Sequence, residues 1–254
     1  MNHWSIPIAQ YIFVVAAILC RIGTAAAYLP VIGEMQIPSM VRVIVAAGIS
    51  ICLAMALPEL PSIPGSTMEI GLLLFAEGLI GTAFGMSMRI VLSAMHTVGL
   101  VVATQAGLAT AMMFDPSQGS QSAPIGTFLT MTAIMLLLAF DLHLVMIEGA
   151  AHSYDAFPLG GFYEHTQSFA TMMMHAASVA FNTGIKMSFA FIIIGSLIYT
   201  AAGVAARLMP NLPVFILMIP GQIAVMLWFL MLSLSGLLLW FIDYYQDSYR
   251  ALWE

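Results

Sequence analysis

Charged residues make up only 7% of this sequence, and that shortage excludes more than any motif does. A soluble chain would carry roughly 25% charged residues to face water. Here 61% of the 254 residues are hydrophobic, and the mean hydropathy is +1.00. No water-facing shell can be built from such a composition, so lipid or protein at membrane depth must cover most of the surface. The six basic residues, Arg21, Arg42, Arg89, Lys186, Arg207 and Arg250, are scattered, and the net charge is -6. Without a basic patch there is no electrostatic footprint of nucleic-acid binding, and six cations are too few to orient the chain across a membrane. Cys20 and Cys52 sit in separate apolar runs and read as small core residues rather than a disulfide or metal pair.

Other absences narrow the chemistry. There is no His-Glu-x-x-His run and no Cys cluster to hold a metal. There is no Gly-x-Ser-x-Gly elbow for a hydrolase and no phosphate-cradling Gly-x-x-x-x-Gly-Lys-[Ser/Thr] loop. No cofactor or metal site, no nucleophilic hydrolase and no ATP use are expected. The first six residues lack Lys and Arg, and Arg21 interrupts the apolar run ahead of Ala25. That pattern differs from a cleaved secretory signal and reads as a retained first membrane helix. No polar stretch is long enough for a second, soluble domain, leaving one membrane domain over residues 1–254.

What is present is a series of apolar stretches at residues 6–29, 40–57, 69–95, 98–114, 125–150, 169–208 and 214–242. Most reach the roughly 20 residues that a helix needs to cross a bilayer core. None alternates with period two, which argues against a transmembrane barrel. Pro30, Pro38, Pro58, Pro61, Pro64, Pro210 and Pro213 punctuate them, because proline ends helices and extends its predecessor. Thr67 is the expected N-cap of the third helix, with Glu69 in its first turn. A soft break is expected at His96-Thr97, and the 169–208 stretch is expected to bend or split near Gly184 or Gly195. Residues 115–124, Asp-Pro-Ser-Gln-Gly-Ser-Gln-Ser-Ala-Pro, form a polar loop.

Six charges fall inside the apolar stretches: Arg21, Glu77, Arg89, Asp141, Glu148 and Lys186. Each costs about 2.5–3.5 kcal/mol at mid-membrane on insertion scales. Pairing with each other or with partner subunits would offset that cost. A proton or ion path through Glu77, Asp141 and Glu148 is the other reading. Glu148 and His152, four apart, share a helical face with Asp155 nearby, a weak hint of a metal site. Small residues recur at four-residue spacing: Gly81 and Gly85, then Gly99, Ala103, Gly107 and Ala111. They read as a helix-packing seam, either within the chain or toward other subunits, because backbones approach closely where Cβ bulk is missing. The 21 methionines, with Met112-Met113 just before the polar loop, suit a deformable seal around a moving chain, or plain gap filling.

Three stretches in order resemble the R subunit of the bacterial flagellar and type III secretion export gate, the FliR family and its injectisome counterparts. They are Gly107-Leu-Ala-Thr-Ala-Met-Met-Phe-Asp115-Pro116 with Gly126-Thr-Phe-Leu-Thr, then Asp141-Leu-His143-Leu-Val-Met-Ile-Glu148-Gly with Phe157-Pro158-Leu-Gly160, then Arg207-Leu-Met-Pro210-Asn-Leu-Pro213-Val-Phe215-Ile-Leu-Met-Ile-Pro220-Gly-Gln-Ile. Pro213, commonly polar in the family, and Gln222, often basic there, are departures. The resemblance implies an all-α fold of polytopic helical hairpins forming part of a heteromeric helical export-gate cone. It implies a non-enzymatic channel subunit in the bacterial inner membrane, at the flagellar basal body or injectisome base, with the third stretch favouring the flagellar system. Its implied partners are P and Q subunits, a B-type switch subunit and unfolded secreted proteins in transit.

The same resemblance makes residues 114–124 a plug-like loop, with Met112, Met113, Phe114, Asp115, Pro116, Ser117, Gln118, Gly119, Ser120, Gln121 and Ser122 as its gating residues. It also implies that stretches transmembrane by hydropathy can be raised out of the bilayer against neighbours, where charges pair in protein surroundings. From a different class, a self-contained secondary transporter using Glu77, Asp141 or Lys186 is the alternative. The sequence shows no inverted repeat or matched pair of broken helices in its favour.

Overall fold

Apolar runs set the helices here, and proline, glycine and short polar clusters set their ends. The computed structural model describes residues 5–56, 63–108, 124–159, 166–211 and 213–251. Among the described residues the chain forms seven α-helices and no strand. They are α1 (Ser5–Tyr28), α2 (Ser39–Ala56), α3 (Thr67–Gln105), α4 (Pro124–Ala139), α5 (Leu142–Ala156), α6 (Thr166–Leu208) and α7 (Val214–Ala251). Helices α1, α2, α3, α6 and α7 are each long and apolar enough to cross a membrane. The all-α, polytopic membrane architecture expected from composition is therefore the one observed.

Several element ends differ from expectation, each for a local reason. His96-Thr97 does not interrupt α3: Thr97 Oγ1 donates to the Ser93 carbonyl at 3.1 Å, so its hydroxyl is satisfied inside the helix. The helix ends instead at Gln105, and Gly107 follows with φ 78, a left-handed conformation that favours glycine. Ser66, rather than Thr67, caps the start of α3, accepting the Met68 N–H at 3.3 Å. The 125–150 stretch breaks into α4 and α5 at Asp141, which has φ 55, a conformation that Asp tolerates better than most residues. Conversely, α6 runs unbroken for 43 residues past both Gly184 and Gly195. These glycines serve close packing: a Cβ at Gly184 would lie 3.1 Å from Thr97, and one at Gly195 would collide with the Gln105 side chain.

Packing divides the chain into two compact units. The first comprises residues 1–91, 137–177 and 248–254, and the second residues 92–136 and 178–247. In the first unit α1 leads into a tight connector. The Ile32 N–H donates to the Pro30 carbonyl at 2.9 Å around Val31, whose φ of 73 is costly for a β-branched residue. Arg42 on α2 donates to the carbonyls of Glu34 and Ile37 at 2.6 and 3.0 Å, satisfying polar backbone that no helix accommodates. Helix α3 then lies so close to α1 that a Cβ on Gly81 would run into the Arg21 carbonyl, and one on Gly85 would sit 2.5 Å from the Ala25 carbonyl. In the second unit the same device joins α3 to α4, with Gly126 backbone occupying the space a Cβ on Gly99 would need. Phe191 of α6 and Phe229 of α7 pack edge to face there, with centroids 5.1 Å apart.

The glycine contacts generate a direct test. Gly81→Val and Gly99→Val force packed backbones apart and are expected to destabilise the detergent-solubilised protein by about 1–3 kcal/mol or more. Gly48→Ala, where an added Cβ meets nothing within 4 Å, should cost nothing. Thermal unfolding that gives the same midpoint for all three variants would show that the close approach is not required.

Candidate functional site

Arg21 and Glu77 face each other across the α1–α3 contact of the first unit. Both are sealed from solvent, at 1% and 0% side-chain exposure, and the Arg21 Nε donates to Glu77 Oε2 at 2.6 Å. The placement follows from spacing: Glu77, Gly81 and Gly85 recur every four residues on one face of α3, and Arg21 and Ala25 do so on α1. The two glycines bring the helices close enough for a short guanidinium–carboxylate contact. Helix α5 adds to the shell, with Arg21 Nη2 left buried without a hydrogen-bond partner among the described residues. Arg21 Nη1 donates to the Ser153 carbonyl at 3.0 Å and to Ser153 Oγ at 3.2 Å, and the Tyr154 ring lies 3.8 Å from the guanidinium carbon. A buried cation thus meets a carboxylate, two oxygens and an aromatic face. Sequence reading found Arg21 and Glu77 separately and missed Ser153 and Tyr154. The four-residue register linking Glu77 to the glycines was the available signal.

The remaining charges singled out in the sequence lie elsewhere. Arg89 approaches Glu34 at 3.8 Å and is 44% exposed. Asp141 is exposed at the start of α5, where its side chain caps no N–H. Glu148 and Asp155 flank His152 at 3.8 and 2.9 Å on an exposed face of α5. No group of three or more His, Cys, Asp or Glu among the described residues is arranged to hold a metal ion. Lys186 is exposed on α6.

In the second unit, a neutral polar contact gathers at the end of α3. Gln222 of α7 is 6% exposed, and its Nε2 donates to the Gln105 carbonyl at 2.5 Å. Ala103, on the expected seam, is buried two residues before Gln105. Gly107 adjoins the Gln222 amide, which lies 3.6 Å from where a Cβ would be, so φ rather than space requires glycine there. Gln222 drew notice in the sequence only as a departure from a basic position. Its bond to Gln105 joins residues 117 apart and has no local signature. The expected gating residues Met112, Met113, Phe114, Asp115, Pro116, Ser117, Gln118, Gly119, Ser120, Gln121 and Ser122 lie outside the described residues, as does Ala111.

Removing one member of the buried ion pair should be costly. Glu77→Met or Arg21→Met leaves a charge buried without its counter-charge and is expected to cost about 3–5 kcal/mol. The double variant R21M/E77M should lose less than the sum of the two. Denaturant unfolding of the purified protein reads all three. A single variant within 1 kcal/mol of wild type would mean that the pair carries no structural weight.

Comparison with known proteins gives these features a family. The chain is 27% identical over 240 residues to the flagellar biosynthetic protein FliR of Caulobacter vibrioides, covering 94% of this chain and 95% of that protein. It is 30% identical over 226 residues to FliR of Pectobacterium carotovorum, covering 88% and 84%. The Yop proteins translocation protein T of Yersinia pestis is 26% identical over 179 residues, covering 67% and 66%. The family model for bacterial export proteins, family 1, matches residues 12–248, taking in both buried polar contacts, five whole helices and most of α1 and α7, and the chain therefore belongs to that family.

Proposed function

We propose that this chain is a structural channel subunit of a flagellar-type type III protein export gate. In this reading it helps to form and close the conduit through which unfolded secretion substrates cross the bacterial inner membrane, at the base of the flagellum. The whole chain works as one gate domain, assembled with P and Q subunits and contacting the B-type switch subunit. The observation that carries the reading is membership of a bacterial export family across nearly all of the sequence. The longer alignments with flagellar relatives, compared with the injectisome relative, support the flagellar assignment.

Physical features agree with a subunit that is covered by others. Only 17% of the apolar window is buried in α2, and the same share in α6, so most of that surface needs lipid or protein against it. Helices α3, α6 and α7 have 39, 43 and 38 residues. At 1.5 Å per residue they extend roughly 57–65 Å, about twice a 30 Å hydrocarbon core. Fitting them wholly within it would take a tilt of roughly 60°, beyond the usual range of about 0–40°. Partner subunits standing above the bilayer would cover the excess. The polar 114–124 segment acts as the plug: Gly, Ser and Gln make a hydrated, displaceable obstruction, with Met112-Met113 beside it as a compliant seal. A self-contained transporter finds less support, because Glu77, its most deeply placed carboxylate, is held by Arg21.

Native mass spectrometry of the tagged chain, purified in mild detergent from its own membranes, tests the assembly. A large particle with one copy and several small apolar subunits is expected; an intact monomer or homodimer would count against it. Deleting residues 117–122 should then make membranes that hold the assembled complex leaky to small ions. Unchanged conductance with normal assembly would sink the plug.

A further inference from the structure

The last turn of a helix leaves backbone carbonyls without intrahelical donors, and α3 ends at Gln105, ten positions before the polar segment in the sequence. Two amides close part of this end: Ala106 N–H donates to the Val102 carbonyl at 2.8 Å, and Gly107 N–H to the Thr104 carbonyl at 3.0 Å. The Gln105 carbonyl takes its donor from outside the helix, from the buried Gln222 side chain of α7. The Gln105 side chain is fixed in turn against Gly195 of α6, which has no Cβ to push it away. Three helices of the second unit thus converge on one residue at the end of α3. Gln222 itself follows Pro220, which lacks an N–H and so removes one hydrogen bond from the ladder of α7. The clasp sits beside a weakened turn.

From this geometry we infer that Gln222 is a positioning residue of the gate. Its amide holds the end of α3 and fixes the direction in which Gly107 and Leu108 lead the chain onward, and losing that bond favours the open gate. What the position needs is a hydrogen-bond donor able to reach the Gln105 carbonyl. A lysine there, with a charged donor on a flexible stem, would serve the same carbonyl. A residue of the same size without a donor would not. The consequence for gating rests on the gate reading above; the clasp itself does not.

Three variants in the complete complex separate the possibilities. Gln222→Met keeps the volume and removes the donor, Gln222→Glu replaces it with an acceptor, and Gln222→Lys restores a donor. Hydrogen–deuterium exchange at Ala106 and Gly107 should be roughly three- to tenfold faster in Q222M and Q222E, as expected for one lost hydrogen bond, and near wild type in Q222K. Ion leak through membranes holding the assembled complex should rise in the first two and not in the third. Unchanged exchange in Q222M overturns the clasp. Equal effects from all three variants also overturn it, since a merely packed side chain would not distinguish donor from acceptor. Faster exchange without leak, in a complex where deleting residues 117–122 does leak, overturns the gating role. If that deletion causes no leak either, the plug reading fails, and exchange alone decides the clasp.

Discussion

Sealing an arginine inside an apolar protein is the constraint from which the first unit follows. The cost of dehydrating Arg21 and Glu77 is several kcal/mol per ion, and only short, well-satisfied contacts offset it. The 2.6 Å bond between side chains on α1 and α3 is made where the two helices nearly touch. Gly81 and Gly85 permit this, one and two turns beyond Glu77 on the same face. The second nitrogen needs an acceptor, and Ser153 supplies two, which draws in α5. The ion pair thus ties the register and the choice of third helix, and the glycines set the distance. A hydrophobic contact of the same size would leave each of them free to slide.

Why a chain with so little charge keeps this pair is explained by what surrounds it. Apolar helices in lipid gain little from burying apolar surface against each other, because the tails are as apolar as leucine. Specificity must come from close packing and from the few polar groups available. In this chain the glycine contacts and the ion pair coincide on one face of α3, so packing and polarity enforce the same register. The outer faces of α2 and α6 are sparsely buried, although Gly184 and Gly195 pack α6 closely against α3. Their fit is left to whatever lies against them, which agrees with a subunit whose surroundings are other subunits.

The sequence disclosed the helices well and their punctuation unevenly. Apolar runs bounded by proline are read directly, and the 30–38 and 210–213 connectors fall where Pro30, Pro38, Pro210 and Pro213 place them. Breaks that depend on backbone conformation are harder. Asp141 interrupts an apolar run with a single left-handed residue, while His96-Thr97 and two glycines in α6 interrupt nothing. A hydroxyl that returns its bond to the helix, or a glycine filled by a neighbour, looks in sequence like a breaker. Only the partner reveals the difference. The same holds at the sites: Glu77 and Gly81 carry a local register that could have been read as one face, whereas Ser153, Tyr154 and Gln105 meet their partners through tertiary folding alone.

The two buried polar contacts differ in kind, and the difference suits their proposed roles. A buried ion pair is broken only by leaving a charge without compensation, which makes it a poor element to open and close. An amide–carbonyl bond contributes about 0.5–1.5 kcal/mol net, little enough to be exchanged for another partner during a working cycle. Arg21 and Glu77 fasten helices that must keep their register. Gln222 holds the end of α3, beside a proline that already weakens its own helix, where an opening gate would need to yield. A lysine at this position would keep a donor for the same carbonyl, whereas a residue without a donor would release it. On that view the presence of a donor there decides whether the end of α3 is held, and so how readily the gate opens.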